Sequence, residues 1–339
     1  MDFSAVSPAG HAPAKINLAL HVTGRRPDGF HLIESLAVFT RHGDRLTVAA
    51  AAEDALSVSG PFGAQIPLDN GNLVVRARDA LRQAHLCRPS RRSMSPPMAN
   101  LPISPLAGEM SGRTEGGNIE RDFAEIKDAR AVAIRLEKNL PIASGIGGGS
   151  SDAAATLKAL AQLWKFGWTL EQLAGIGLPL GADVAMCLYA QPLIARGMGE
   201  KIEPVAGFPA LPMVLVNPGV PVSTPQVFAA LSSRQNPPLP PLPRNLDFET
   251  LLGWLAGARN DLQIPAVSIA PAIAEALDAL ASAGAGFARM SGSGATCFGL
   301  FETGGAAARA AAEIRERRPQ WWVAATESLA SEDHPDDAT

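Results

Sequence analysis

A chain of 339 residues, 47% hydrophobic and 18% charged, is long enough to fold as two domains with a core each. A formal net charge of −4, with no basic run longer than an isolated pair such as Arg91-Arg92, leaves no electrostatic footprint for nucleic acid or an anionic membrane. Cys87, Cys187 and Cys297 are too few and too scattered for a disulfide framework or a metal site, and no run of about 18 apolar residues or signal-like start occurs, so a reducing cytoplasm is expected.

The first readable element runs from Ala14 to Val22, where Ile16, Leu18, Leu20 and Val22 alternate strictly with Lys15, Asn17, Ala19 and His21. A polar strand face is commonly solvated. A lysine and an asparagine on the same face, two residues apart, also suit a substrate hydroxyl and its departing phosphate. Pro27-Asp28-Gly29 is a turn, and Phe30-His31 opens the next strand, which continues through Ile33, Leu36 and Val38 and on to Asp44 to Val48. Asn72 starts a helix reaching about His85, either as its cap or as a ligand group. Residues 88–118 hold Pro89, Pro96, Pro97, Pro102 and Pro105 with no helical or strand period, and read as a disordered insertion.

After it, Val132, Ile134 and Leu136 alternate with Ala133, Arg135 and Glu137 as a strand, and the densest chemistry of the chain follows. Pro141-Ile142-Ala143-Ser144-Gly145-Ile146-Gly147-Gly148-Gly149-Ser150-Ser151 leads into the helix-forming run Asp152 to Leu157. Glycines allow positive φ and close ligand approach, so successive N–H groups can turn toward one anion. Ser150 and Ser151 are candidate caps, and a new helix offers further unpaired N–H groups and the positive end of its dipole. The segment therefore reads as a phosphate cradle. No Gly-Lys-Ser or Gly-Lys-Thr ends it, which argues against a P-loop nucleotidase, and the third glycine of a dinucleotide fingerprint falls on Ser150. The competing reading, a flexible linker, fits poorly with the amphipathic helix carried by Ala154, Leu157, Ala161 and Trp164.

Gly181-Ala182-Asp183 places an acidic residue in a tight turn before an apolar strand, where it serves as a backbone cap or as a reactive group. Gly197 to Glu200 is a hairpin turn, and Pro204 to Pro212 reads as the domain linker. Met213 to Val216 is a buried-type strand. A helix capped near Ser223-Thr224 follows, then a proline-rich loop from Pro237 to Pro243 and helices over Leu251 to Ala258 and Pro271 to Ala283. Ser291-Gly292-Ser293-Gly294 joins two apolar strands, either as a plain hairpin turn or as a second loop against the cradle or the substrate. Ala306 to Arg318 is the last helix, and the acidic end is expected to fray.

Three blocks carry a resemblance: Ala14-Lys15-Ile16-Asn17 with Asp28-Gly29-Phe30-His31, the loop from Pro141 to Ser151, and Gly181-Ala182-Asp183. In this order they resemble the GHMP kinases, which phosphorylate small-molecule hydroxyls with ATP, and the likeness runs from Ala12 to about Leu300 outside the insertion. Within that family they resemble the branch that acts on a cytidine diphosphate-linked methylerythritol.

The resemblance implies an α+β fold with an N-terminal domain (1–205) like ribosomal protein S5 domain 2. A ferredoxin-like C-terminal domain (206–325) and a flexible tail (326–339) would follow. It further implies Lys15 and Asp183 as the catalytic pair and ATP on Pro141 to Ser151 with Asn72 near the adenine. Asn17, Phe30 and His31 would meet the substrate, and Mg²⁺ would come with ATP. Phe30 stands where relatives commonly have tyrosine, and Ala143 and Ser144 replace usual glycines. A mevalonate- or homoserine-type kinase and a non-catalytic RNA-binding module are the alternatives; the cytosine-type Phe30-His31 pair disfavours the first, and the acidic balance with Lys15 and Asp183 disfavours the second.

Overall fold

The computed structural model describes residues 9–86 and 131–331; the proposed insertion, Cys87 and residues 332–339 lie outside them. The chain opens with a long hairpin of β1 (Ala9–Arg25) and β2 (His31–Ala50), turning at the expected Pro27-Asp28-Gly29. Next come β3 (Ala55–Ser59), α1 (Leu73–Leu86) and β4 (Val132–Glu137), then α2 (Gly148–Leu163), α3 (Leu170–Gly177), α4 (Ala182–Tyr189), β5 (Leu193–Gly197) and β6 (Lys201–Pro204). Strand β2 is the hub of this sheet: β1 follows one edge, while β5 pairs with residues 33–37 and β4 with residues 45–50. Strand β3 adds to β4 in parallel, the one parallel pair among the described strand ladders. Helices α1 to α4 cover one face through a core that includes Phe39, Val48, Leu81, Ile134, Leu157 and Leu188.

The second half holds β7 (Pro212–Asn217), α5 (Thr224–Ala229), α6 (Phe248–Gly257), α7 (Gln263–Ile269), α8 (Ala272–Ser282), β8 (Phe287–Met290), β9 (Cys297–Leu300), α9 (Gly304–Arg317) and β10 (Trp322–Glu327). Its sheet runs β10-β7-β9-β8 with every pair antiparallel. With α8 between β7 and β8 and α9 between β9 and β10, this is the split βαβ unit of the ferredoxin-like fold. The turn at Gly197 to Glu200 and the connection from Pro204 to Pro212 fall where the sequence places them.

The two halves share a core. Ile16, Leu18, Leu36 and Val38 from the hairpin pack with Met213, Leu215, Phe298 and Leu300 from the second sheet, all fully buried. Because strand side chains alternate, this burial turns Lys15 and Asn17 to the opposite face. That face is not solvated: both residues are buried and line the cleft, and beyond the register shift between Asn17 and Ala19 the alternation is offset, so Leu20 joins them there while His21 is buried elsewhere.

Three local expectations are corrected. Helix α2 starts at Gly148 with Gly147 as its N-cap, so Ser150 and Ser151 lie inside its first turns; glycine reaches the left-handed φ of +66° that this junction takes, which serine rarely adopts. Asp183 sits in the first turn of α4, a helix and not a strand, since the apolar run Val184 to Leu188 is buried on several sides and gives no clear period. Residues 326–331 are held and not frayed: β10 reaches Glu327, Ser328 N–H donates to Leu211 O (2.9 Å) and Leu329 N–H to Phe39 O (2.7 Å).

Candidate active site

A cleft of about 1280 Å³ opens between the halves, and the glycine loop forms its floor. Gly145 has φ +76°, and a Cβ there would lie 2.6 Å from Ser291 O and 2.7 Å from Gly294 O. The second glycine-rich turn is thus both a hairpin connection and a brace on the cradle, with Ser291 Oγ donating to Gly145 O (3.1 Å) and Thr296 N–H to Ser144 O (3.0 Å). Gly147 faces Lys15: an added Cβ would stand 3.3 Å from Lys15 Cβ. The first N–H groups of α2, which have no partner within the helix, come directly after it.

Most of the loop lines the cleft: Pro141, Ile142, Ala143, Ser144, Gly145, Gly147, Gly148, Gly149 and Ser150. Ile146 and Ser151 do not. Ile146 packs in the shared core, while its carbonyl accepts the Lys15 N–H (2.9 Å) and so ties the loop to β1. Ser151 Oγ is buried with no hydrogen-bond partner. Ser144 Oγ donates to Pro141 O (2.6 Å), closing the loop on itself.

Beside the cradle, Lys15 Nζ lies 2.7 Å from Asp183 Oδ1. The register of β1 supplies the lysine and the N-terminal turn of α4 supplies the aspartate, a favourable place for an anion on the helix dipole. Asn17 is fixed next to them: its Nδ2 donates to Ser35 Oγ (2.7 Å), and its N–H donates to Ser291 Oγ (3.1 Å). The pair can hold a hydroxyl, accept its proton and offset charge on a transferred group.

Asn72 is both cap and cleft wall. Its Oδ1 accepts from Val74 N–H and its Nδ2 donates to Pro67 O, each at 2.9 Å, so its polar atoms are committed to the backbone. At the other end Phe30 is 60% exposed on the rim, while His31 stacks on Phe228 of α5 with ring centroids 4.6 Å apart. Burial first, then the charges of Arg25 and Arg234, lower the His31 pKa below the usual imidazole range; its Nε2 is buried without a partner.

Sequence reading missed a buried trio under the cradle. Lys138 Nζ donates to Asp152 Oδ2 (2.6 Å) and to Asp44 Oδ2. Asp44 Oδ1 also accepts from Asn139 N–H (2.6 Å) and Leu140 N–H (2.8 Å), whereas Asp152 Oδ1 has no donor. Burial raises Asp152 to about 7, against the pull of Lys138 and with repulsion from Asp44. Phe228 was missed as well. A lysine just past a strand end and an aspartate after Ser-Ser were the only local signals for the trio, and Phe228 had none. Cys187, pushed up to about 12 by burial, and Cys297, raised by the same cause, are not nucleophiles.

An anion cradle flanked by a buried lysine and an accessible aspartate is the equipment of a phosphoryl-transfer enzyme. Residues 117–191 match the GHMP kinases N terminal domain and residues 244–320 the GHMP kinases C terminal. A relative from Mesorhizobium japonicum, 56% identical over 332 residues and covering 98% of this chain and 99% of its own, is named 4-diphosphocytidyl-2-C-methyl-D-erythritol kinase. One of the same name from Brucella abortus is 49% identical over 94% of this chain and 95% of its own. The crystal structure of a 4-(cytidine 5'-diphospho)-2C-methyl-D-erythritol kinase superposes with a TM-score of 0.67 at 31% identity, covering 95% of this chain and all of that one. The L. major mevalonate kinase (TM-score 0.59, 12% identity, 97% of this chain and 98% of that one) shares the fold alone. The chain therefore belongs to the GHMP kinase family, in the branch of the 4-diphosphocytidyl-2-C-methyl-D-erythritol kinases.

Proposed function

We propose that this protein transfers the γ-phosphoryl group of ATP to the 2-hydroxyl of 4-diphosphocytidyl-2-C-methyl-D-erythritol, in the non-mevalonate route to isoprenoid precursors. The observation that carries the reading is the 2.7 Å contact of Lys15 Nζ with Asp183 Oδ1 at the junction of the cradle and the aromatic end of one cleft. ATP places its phosphates on the loop from Pro141 to Ser150, against the N–H groups opening α2. The cytosine lies at Phe30 and His31, which leaves the alcohol between the two ends.

The hydroxyl oxygen forms the new P–O bond, the bond from the γ-phosphorus to the bridging oxygen breaks, and ADP leaves with that electron pair. Asp183 takes the hydroxyl proton. Lys15 holds the carboxylate in place and offsets charge on the transferred group. Asn17, fixed by Ser35 and Ser291, keeps the substrate side of β1 in register with the loop.

Among the described residues no group of three or more His, Cys, Asp and Glu side chains could hold a metal alone. Mg²⁺ arriving with a nucleotide would be held chiefly by the phosphate oxygens and its own waters, which leaves Asp183 free for the hydroxyl. When bound it supplies positive charge on the phosphate oxygens. No single described helix is long and apolar enough to cross a membrane, and a cytoplasmic setting is part of the same proposal.

The test is ATP consumption with the cytidylyl substrate, mevalonate and homoserine supplied separately. Turnover is expected with the first alone; turnover with either of the others, and none with the first, would overturn the assignment.

A further inference from the structure

The aromatic end of the cleft carries two arginines that the transfer chemistry does not use. Arg25 ends β1, and Arg234 lies in the loop after α5; both line the cleft with Phe30, His31 and Phe228. Their neighbours are ion-paired: Arg26 meets Asp28 at 2.7 Å, and Arg196 meets Glu203 at 2.6 Å. Among the described residues no carboxylate pairs with Arg25 or Arg234. Each is instead aimed by a backbone carbonyl. Arg25 Nε donates to Gly29 O (3.2 Å), which leaves both its Nη groups unused; Arg234 Nη2 donates to Ala229 O (3.2 Å), while its Nε is buried without a partner.

We propose that Arg25 and Arg234 form a diphosphate subsite, gripping from two sides the phosphates that join cytidine to the acceptor alcohol. The inference rests on the acceptor assignment above. Two guanidinium groups lining the cleft with the stacked rings, each with N–H groups to spare and no carboxylate partner among the described residues, match an anion of about two charges; planar forks suit phosphate oxygens better than a lysine would. Placement agrees as well. Both arginines line the cleft together with His31 and their charges act on its ring, so the anion would sit beside the ring that meets the base. A subsite of this kind binds the acceptor by its linkage, whereas Phe30 and His31 bind it by its base.

The experiment compares cytidine, CMP and CDP as inhibitors competing with the acceptor, in wild type, Arg25→Gln, Arg234→Gln and the double variant, with KM for ATP measured alongside. Wild type should prefer CDP over cytidine by roughly 100-fold, and each substitution should remove roughly tenfold of that preference, as expected for a charge-assisted hydrogen bond. Cytidine inhibition, KM for ATP and melting temperature should stay unchanged. A CDP-to-cytidine ratio that survives the double substitution overturns the subsite, and so does a rise in KM for ATP, which would put the arginines on the donor side. If none of the three compounds inhibits wild type, the acceptor assignment itself falls, a pattern distinct from the other two. Arg25→Lys and Arg234→Lys, which keep charge and lose the fork, should give intermediate ratios; ratios equal to wild type would rule out recognition by the fork.

Discussion

Lys15 Nζ and Asp183 Oδ1 lie 2.7 Å apart, yet the lysine side chain is 5% exposed and the aspartate 41%. The cation is enclosed by protein while its partner faces the cleft, which is the arrangement a fixed electrostatic support and an accessible proton acceptor require. Asp183→Asn keeps the shape and removes the acceptor. We expect kcat to fall by roughly 100-fold or more, with ATP binding retained. Single-turnover kinetics and ATP titration check this; a kcat near wild type would reduce Asp183 to a helix-end residue.

Gly147 joins the loop to α2 at φ +66°, with its face against Lys15. Gly147→Ala therefore meets left-handed backbone strain of about 1–2 kcal/mol and a methyl 3.3 Å from Lys15 Cβ. The variant should melt a few degrees lower and lose at least tenfold in kcat, because the lysine must shift. Thermal melts and steady-state rates would expose an error if both remained at wild-type values.

The trio under the cradle predicts a pH dependence of stability. Asp152 titrates near 7 when folded because burial penalises its charge, and near 3.8 as a free carboxyl. The folded state thus binds the extra proton between these values, so stability falls as pH rises from about 4 to 7 and stays lower above. Lys138, whose pKa is raised by its two carboxylates against the opposing effect of burial, contributes stability across this whole window and does not alter the slope. Asp152→Asn should flatten the curve, melting above wild type at pH 8 and close to it at pH 5. Parallel melting curves for the two proteins would refute the assignment.

His31 reads the base in the proposed function, and its unpartnered Nε2 motivates the test. Losing one such bond costs about 1–3 kcal/mol, or roughly 5- to 150-fold in kcat/KM. His31→Ala should raise KM for the cytidylyl substrate, spare KM for ATP and narrow the preference over a uridylyl analogue. A rise in KM for ATP with base preference intact would place His31 on the nucleotide side.

Arg289 links the halves of the molecule. Buried in β8, it donates to Leu18 O, Leu255 O and Ala258 O, each at 2.9 Å; burial brings its pKa down to about 10, so it stays charged at neutral pH. Arg289→Met leaves three carbonyls without this donor, at about 1–3 kcal/mol for each that stays unpaired. Melting should drop by roughly 5 °C or more. A drop under about 1 °C would show that solvent replaces the strut.

Much of the fold was legible because its signals are local. The period-2 alternation of Ile16, Leu18 and Leu20 marks a strand and separates Lys15 and Asn17 from the core; the glycines from Gly145 to Gly149 mark a backbone that can turn its N–H groups outward. Elements with weak or mixed signals were misjudged or missed. Val184 to Leu188 is apolar on every side and gives no period to choose helix over strand, and the short α7 and β10 offer too few residues for one.

The sequence by itself determined which residues share a strand face, where the chain can bend with positive φ, and the types of group available for phosphoryl transfer, since each depends on sterics within a few residues. Tertiary structure alone decided that Asp183 meets Lys15, that Lys138 is clamped by Asp44 and Asp152, and that Phe228 of the second domain closes on His31. Those contacts join residues far apart in the chain. They exist only once the sheet register and the domain packing are set, and a slip of one residue in β1 would turn Lys15 into the apolar core.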